Sequence, residues 1–167
     1  MRIEAFFIEE RGGVLLAGPA AFERGIPRFT GESDLLSEVV PKGASERGTV
    51  LAVDVRGMIR RDMDDSALKV KVPGSDLWLM TCIETSDDIL DVFLFNGDRI
   101  LIPLHTIGSE HVLEEAYDLS DSCLPSVFVQ NGSALKRKGK EDLVKVLDRM
   151  EGIGFPNTVL LDTDKSM

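Results

Sequence analysis

Residues with acid–base and metal-binding chemistry follow several apolar runs of this sequence. Four of them stand at or just past the end of such a run: Glu9, Asp54, His105 and Asp162. Carboxylates and an imidazole can act as general acids and bases, and they can bind a divalent metal or an amine-bearing ligand. If the runs are parallel strands, their carboxyl ends share one edge, where α/β folds place their sites. We therefore predict these four residues as catalytic candidates that converge on one face.

A second group of polar residues falls at the same predicted edge. These are candidates for ligand binding: Cys82, Glu84, Gln130, Asn131, Lys136 and Asp164. The basic run Lys136-Arg137-Lys138-Gly139-Lys140 could hold a phosphate. Plainer explanations stay open, because strand ends are polar wherever they meet solvent. On those explanations Cys82 is a packed thiol, the basic run is a solvated loop, and His105 is a hydrogen-bonded structural residue.

Apolar runs alternate with helical patterns along the chain. The predicted strands are Glu4–Ile8, Val14–Ala17, Val50–Val55, Leu77–Ile83, Ile100–Leu104, Leu124–Val129 and Thr158–Leu161. The predicted helices are a short one that follows Ser33-Asp34 and ends at Pro41, then Asp62–Leu68, Ser86–Phe95, Ser109–Leu119 and Glu141–Ile153. Between Gly18 and Thr30, prolines and glycines predict a loop or a single helical turn. Strands separated by helices of this length predict parallel βαβ units.

This alternation predicts a single α/β domain over residues 1–167, with two possible architectures. One is a TIM-barrel-like parallel (β/α) fold, and the other is an open doubly wound parallel sheet. Both bury their strands on two faces, so hydrophobic periodicity does not separate them. The Gly12-Gly13 turn after the first strand lacks the Gly-x-Gly-x-x-Gly pattern of dinucleotide sites. We predict no cofactor, and the sequence leaves metal binding undecided.

Composition limits the partners that the chain can have. A net charge of −10 and a pI near 4.7 argue against a broad nucleic-acid or anionic-membrane surface, where Lys and Arg must dominate. No run of eighteen apolar residues is present, and the amino terminus lacks the apolar region of a signal peptide. Cys82 and Cys123 lie in or beside apolar runs, as buried reduced thiols do. These features predict a cytoplasmic protein.

The order and spacing of several short pieces resemble those of a known enzyme family. The pieces are Ala5–Val14, Val50–Gly57, Asp76–Leu79 with Ile83, Gly97–Ile102, Asn131-Gly132 and Val159–Asp164. On these residues the chain resembles the archaeal proteins related to phosphoribosylformimino-ribotide (ProFAR) isomerase of histidine biosynthesis, a (β/α)8-barrel family. The resemblance implies an incomplete barrel of about six units, with its site at the carboxyl ends of the strands.

The chain departs from this family where the chemistry is done. The family's acid–base pair is an Asp ending the first strand and an Asp ending the fifth. Glu9 stands at the first position, but Phe128 (or Val129) stands at the second and cannot exchange a proton. Pro103 replaces a glycine of the fourth strand, and the phosphate site of the last two units is missing. Since isomerisation needs an acid and a base in distinct roles, we expect no isomerase activity.

Three functions remain open on the sequence. The first is a metabolite-binding or regulatory relative of the ProFAR isomerase family, and the second is an active isomerase or lyase on a small polar or phosphorylated metabolite with Glu9 as base. The third is a structural or assembly protein, which apolar side chains filling the site would favour. Six units cannot close an eight-stranded barrel, so Glu4–Ile8 and Thr158–Leu161 are expected to be open edges. Open edges invite pairing, so we expect a homodimer or larger homo-oligomer.

Overall fold

The structure is a computed structural model that describes residues 3–43 and 48–162. Asp164, one of the predicted ligand-binding residues, lies outside these ranges. The strands are β1 (Ile3–Arg11), β2 (Val14–Gly18), β3 (Ala20–Glu23), β4 (Ile26–Phe29), β5 (Asp34–Leu35), β6 (Thr49–Asp54), β7 (Asp76–Met80), β8 (Arg99–Pro103), β9 (Cys123–Gln130), β10 (Ser133–Leu135), β11 (Lys140–Asp142) and β12 (Val159–Asp162). The helices are α1 (Leu36–Gly43), α2 (Val55–Arg60), α3 (Asp65–Leu68), α4 (Ser86–Val92), α5 (His111–Leu119) and α6 (Leu143–Ile153).

A mostly parallel sheet forms the centre of this mixed α/β fold. Its parallel strands lie side by side in chain order: β1, β6, β7, β8, β9 and β12. The seven strands predicted from apolar runs are all present, with ends that differ by a few residues. A doubly wound sheet requires the strand order to reverse once. The six parallel strands show no such reversal, so the doubly wound alternative is wrong.

Antiparallel strands extend the sheet beyond β1. The Gly12-Gly13 turn, with φ of 58° and 87°, returns the chain so that β2 pairs with β1, and β5 then pairs with β2. Glu10 closes this turn by accepting a hydrogen bond from the Gly13 N–H at 2.6 Å. The expectation that the first strand is an open edge is therefore wrong. On the far side of β12, the described residues provide no pairing strand.

A second hairpin extends the carboxyl end of β9. Asn131 and Gly132 both have positive φ and form the tight turn between β9 and β10, which then pairs with β11. Ser126 and Val129 of β9 are each paired on both sides. Strand β10 therefore continues the edge of β9 beyond the end of β8, and β12 lies on the opposite edge. This placement carries the basic run over the carboxyl end of β8.

Residues Gly18 to Thr30 form a hairpin rather than the predicted loop or helical turn. Strands β3 and β4 pair antiparallel around Arg24 and Gly25, whose φ angles are 52° and 75°. Two successive left-handed residues make the turn that suits a two-residue hairpin. Arginine rarely occupies the first of these positions, so the turn leaves a weak sequence signal. Pro27 is tolerated because this two-stranded sheet has only edge strands.

Helix α1 also differs from the prediction, because it continues through Pro41 to Gly43. A proline inside a helix removes the hydrogen bond to the carbonyl four residues earlier. Helix α1 has only eight residues, so one bond is lost near its end while the rest of the helix is kept. None of the helices in the described ranges is long and apolar enough to cross a membrane.

The two faces of the sheet pack against different material. Helices α3 to α6 cover one face, where Leu79 and Ile102 of the strands meet helix residues such as Leu113. The opposite face carries Val53, Phe128 and other buried side chains, which occupy the alternate positions along the same strands. Side chains alternate between the faces of a strand, so each buried strand contributes to both clusters.

The face opposite these helices is strongly concave. The ring of Phe22, on β3, lies 5.4 Å from the ring of Phe7 on β1 and 4.6 Å from that of Phe128 on β9. The rings of Phe7 and Phe128 are therefore at most about 10 Å apart. Four strand spacings separate β1 from β9, which is about 19 Å in a flat sheet. The sheet must curve back on itself, with the β3–β4 hairpin inside the curve.

Candidate functional site

Asp54 is buried on the helix-covered side of the sheet. Its Oδ1 accepts a hydrogen bond from the Gly57 N–H at 3.0 Å, and its Oδ2 accepts from the Asp64 N–H at 2.9 Å and the Thr81 hydroxyl at 2.8 Å. Burial raises the pKa of Asp54 to about 6, although the three hydrogen bonds act in the opposite direction. Asp54 therefore caps α2 and ties it to the neighbouring loop and to β7, which is a structural role.

Glu9 lies on the concave face but makes a local contact. Its Oε1 is 2.6 Å from Nη2 of Arg11, at an angle that does not give a hydrogen bond. In the register of the sheet, Ile8 stands opposite Asp54, so Glu9 points to the other face from Asp54. Leu161 packs on the concave side, so the next residue of the strand, Asp162, points to the other face, where it is exposed. The expectation that the four candidates converge on one face is wrong for Asp54 and Asp162.

The two cysteines are packed thiols. Burial raises the pKa of Cys82 to about 11, with the charge of Glu84 as the next cause. Burial likewise raises the pKa of Cys123 to about 11. Since the thiolate is the nucleophile, neither side chain is activated at neutral pH. Asn131 occupies the left-handed position of the β9–β10 turn.

A basic cavity of about 560 Å³ lies at the carboxyl ends of β8 and β9. We call it the basic cavity. Its lining residues are Arg24, Ile26, Met58, Arg61, His105, Thr106, Gln130, Leu135, Lys136, Arg137, Gly139 and Lys140. Five of these twelve are Lys or Arg, and among the described residues no Asp or Glu lines the cavity. This concentration of positive charge stands out in a chain whose net charge is −10.

Three separate segments place these cations. Arg24 is at the tip of the β3–β4 hairpin, and Arg61 is the left-handed C-cap of α2, with φ of 57°. Lys136 and Lys140 flank the turn between β10 and β11, which closes through a hydrogen bond from the Lys136 N–H to the Gly139 carbonyl at 3.0 Å. Non-glycine residues in the left-handed region are uncommon and cluster at ligand-binding sites. Both arginines in that conformation, Arg24 and Arg61, line the cavity.

The cations differ in how they are neutralised. Arg137 Nη1 lies 2.6 Å from Oε1 of Glu84, and Lys136 Nζ lies 3.1 Å from Oε1 of Glu141. Glu141 is also bound by Arg149, and hydrogen bonds from Arg149 and Lys136 lower its pKa to about 2.

In contrast, three cations of the cavity have no carboxylate partner within the part of the chain that the structure describes. They are Arg24, Arg61 and Lys140. Their charge is available to a ligand.

His105 lines the cavity and joins it to the hairpin. Its Nε2 donates a hydrogen bond to the Gly25 carbonyl at 2.8 Å, and its ring lies 4.8 Å from that of Phe128. The carbonyl only accepts, so the proton is on Nε2, while Nδ1 is buried without a partner in the described structure. Burial lowers the pKa of His105, the Gly25 bond raises it, and the charge of Arg61 lowers it further. His105 is therefore neutral at pH 7.

The arrangement suits an anion rather than a metal. Within residues 3–43 and 48–162, no group of three or more His, Cys, Asp or Glu side chains could hold a metal ion. Of the predicted candidates, the cavity brings together His105, Gln130 and Lys136. Glu84 does not line the cavity, but it forms an ion pair with Arg137, which does. Sequence reasoning missed Arg24 and Arg61. Their only signals are an Arg-Gly turn between two short runs and a basic pair, Arg60-Arg61, just before the predicted helix Asp62–Leu68.

Comparison with known proteins gives no family for this chain. No protein-family model matches it, and no curated protein matches it either.

Proposed function

We propose that this protein binds a small anionic metabolite, carrying a phosphate or several carboxylates, in the basic cavity. The observation that carries the proposal is the set of cations there. Three segments distant in sequence converge on one concave space, no described carboxylate lines it, and Arg24, Arg61 and Lys140 have no carboxylate partner among the described residues. Arg24, Arg61 and Lys140 are exposed, but like charges held around one cavity repel one another, and a bound anion relieves that repulsion. Arginine also matches the bidentate geometry of phosphates and carboxylates.

The fold supports this location. We propose that the curved sheet is a TIM-barrel-like arrangement of six parallel units, an incomplete barrel relative to eight. Its support is the chain-order pairing of the strands, the helices on the convex face and the closeness of Phe7 to Phe128 across the concave face. Ligand sites in such folds lie at the carboxyl ends of the strands. The basic cavity is at that end of β8 and β9.

We further propose that the chain is a relative of the ProFAR isomerases without their activity. Phe128, at the position expected for the second acid, is buried between the rings of Phe22 and His105. An aromatic ring held there neither gives nor takes a proton. Glu9 does not line the basic cavity, so an enzyme using Glu9 as base gains no support from this site. Incubation with the histidine-pathway ribotide is expected to give no turnover.

The binding test is calorimetric titration with pyrophosphate, which is small enough for the cavity. Two or three charge-assisted hydrogen bonds of about 1.5–3 kcal/mol each contribute about 3–9 kcal/mol in all, and the cost of association reduces this sum, so we expect weak binding with a dissociation constant of about 1 mM. Arg61→Gln and Lys140→Gln should each weaken binding by about tenfold or more. Their matched controls are Arg60→Gln and Lys145→Gln, which change the same charge outside the cavity. Binding that weakens equally in the controls would mean a diffuse charge effect, and the proposal would be wrong.

One observation favours a second candidate function, a structural or assembly protein. The ring of Phe22 packs between the rings of Phe7 and Phe128, so an apolar side chain fills part of the space that the curved sheet encloses. If wild-type protein binds neither pyrophosphate nor a polycarboxylate such as citrate at millimolar concentration, this second function is preferred.

A further inference from the structure

The β3–β4 hairpin forms one wall of the basic cavity, through Arg24 and Ile26, although it is not hydrogen-bonded to the central sheet. Its base is closed by a hydrogen bond from the Thr30 N–H to the Pro19 carbonyl at 2.9 Å. A two-stranded hairpin is marginally stable by itself, so contacts with the rest of the protein must set its position. The orientation of the wall then depends on those contacts.

Besides the packing of β4 against α2, two side-chain contacts hold the hairpin over the concave face. Phe22 anchors its body by packing edge-to-face against the rings of Phe7 and Phe128. At the tip, the Gly25 carbonyl accepts the hydrogen bond from His105 Nε2, between residues that are 80 positions apart. The second contact is the only one of the two that lies next to Arg24.

The tip is closely fitted around the imidazole. Gly25 is buried with φ of 75°, and a Cβ built there would lie 2.7 Å from His105 Nε2. No side chain can be added at residue 25 without separating the tip from His105. Arg24 precedes it with φ of 52°, a conformation that costs about 1 kcal/mol outside glycine and persists when the surroundings impose it.

We infer that His105 is a positioning residue that fastens the hairpin tip and thereby holds Arg24 over the basic cavity. The role of Arg24 rests on the proposed anion binding, whereas the fastening of the tip does not. Arg24 and Arg61, the charged residues beside the imidazole, both line the basic cavity. His105 contributes to binding through Arg24.

Binding of pyrophosphate to a set of variants tests the positioning role. Arg24→Gln is expected to lower affinity about tenfold, whereas Arg28→Gln, on the same hairpin but outside the cavity, leaves it unchanged. His105→Ala should lower affinity by about three- to tenfold, while His105→Gln, which keeps an amide donor, restores most of it. Gly25→Ala should act like His105→Ala. His111→Ala, a surface histidine, is the control.

A double-mutant cycle separates positioning from direct contact. If His105 acts through Arg24, His105→Ala has little further effect in the Arg24→Gln background, so the two losses are strongly non-additive. Additive losses would mean that His105 touches the anion itself or acts elsewhere, and the inference would be overturned. Failure of His105→Gln to restore affinity would also count against it.

Hydrogen exchange of the hairpin amides tests, without any ligand, whether His105 holds the hairpin tip in place. His105→Ala and Gly25→Ala should speed exchange in β3 and β4 by about three- to tenfold, with β6 to β9 unchanged. Unchanged exchange in β3 and β4 would refute the inference that His105 fastens the hairpin tip. If exchange rises while wild-type protein binds no anion, His105 does fasten the tip but the proposed function fails. If exchange rises but affinity for pyrophosphate is unaffected, the positioning role is wrong.

Discussion

Gly57→Ala should destabilise this protein strongly, although glycine-to-alanine changes inside helices normally stabilise. Gly57 lies in α2, where alanine is usually favoured by about 1 kcal/mol. A Cβ at this position, however, would lie 2.0 Å from Oδ2 and 2.7 Å from Cγ of Asp54. Asp54 is fully buried, and its carboxylate cannot remain in place beside that methyl group.

The size of the effect follows from what Asp54 must give up. Moving its carboxylate breaks the hydrogen bonds from Gly57, Asp64 and Thr81, each contributing about 1–3 kcal/mol. The expected destabilisation is therefore about 3–9 kcal/mol, less about 1 kcal/mol of helix propensity. Arg61 caps the same short helix, so the basic cavity should lose affinity for pyrophosphate as well.

Urea unfolding followed by circular dichroism measures this change, with Gly152→Ala as the matched control. Gly152 also lies in a helix, α6, but a Cβ there meets nothing within 4 Å. The control should therefore be stabilised by about 0.5–1 kcal/mol. In an Asp54→Ala background, Gly57→Ala should cost much less than in wild type, because the clashing carboxylate is gone. Equal costs in both backgrounds, or a Gly57→Ala protein as stable as wild type, would refute the reasoning.

Three further predictions concern the cavity, the histidines and the assembly. Glu84→Gln should strengthen pyrophosphate binding about two- to fivefold, because Glu84 competes with the ligand for Arg137; unchanged affinity in calorimetry would contradict this. In an NMR titration, His111 should titrate above its ordinary pKa, because Glu114 binds the ring, and His105 below it, because it is buried. Because the pKa of His105 is lowered, its contribution to stability is present above about pH 6.5 and is lost as the pH falls. Acid unfolding of the His105→Gln protein and of wild type, measured side by side, gives this loss. We also expect a homodimer that pairs through the edge of β12 that has no partner strand within residues 3–43 and 48–162, and a monomer mass by light scattering at micromolar concentration would count against it.

Local sequence patterns determined the six parallel strands, β2 and most of the helices, but not the short strands β3, β4, β5, β10 and β11. Strand β6 is buried along its whole length, and it appears in the sequence as an unbroken apolar run. The turn at Asn131-Gly132 likewise carries its own signal, because glycine and asparagine tolerate positive φ. These features depend on residues that are neighbours in the chain, so no knowledge of the fold is needed to find them.

The face to which each polar strand end points was decided by the pairing of the strands. Glu9 and Asp54 both end apolar runs, yet the register places Ile8 opposite Asp54 and so sends the two carboxylates to opposite faces. A shift of one residue in register would reverse this outcome. The length of an apolar run does not specify its register, so the sequence alone predicts a shared edge but not a shared face.

The basic cavity itself was determined only by the tertiary structure. The sequence marks Lys136 and its neighbours as a basic run, but nothing local relates them to Arg24 or Arg61. The hairpin tip reaches them because the sheet curves and because His105 donates a hydrogen bond to the carbonyl of Gly25, which is 80 positions away in the sequence. Curvature and such long-range contacts arise from the packing of the whole chain, which is why arginines that look isolated in the sequence line one cavity.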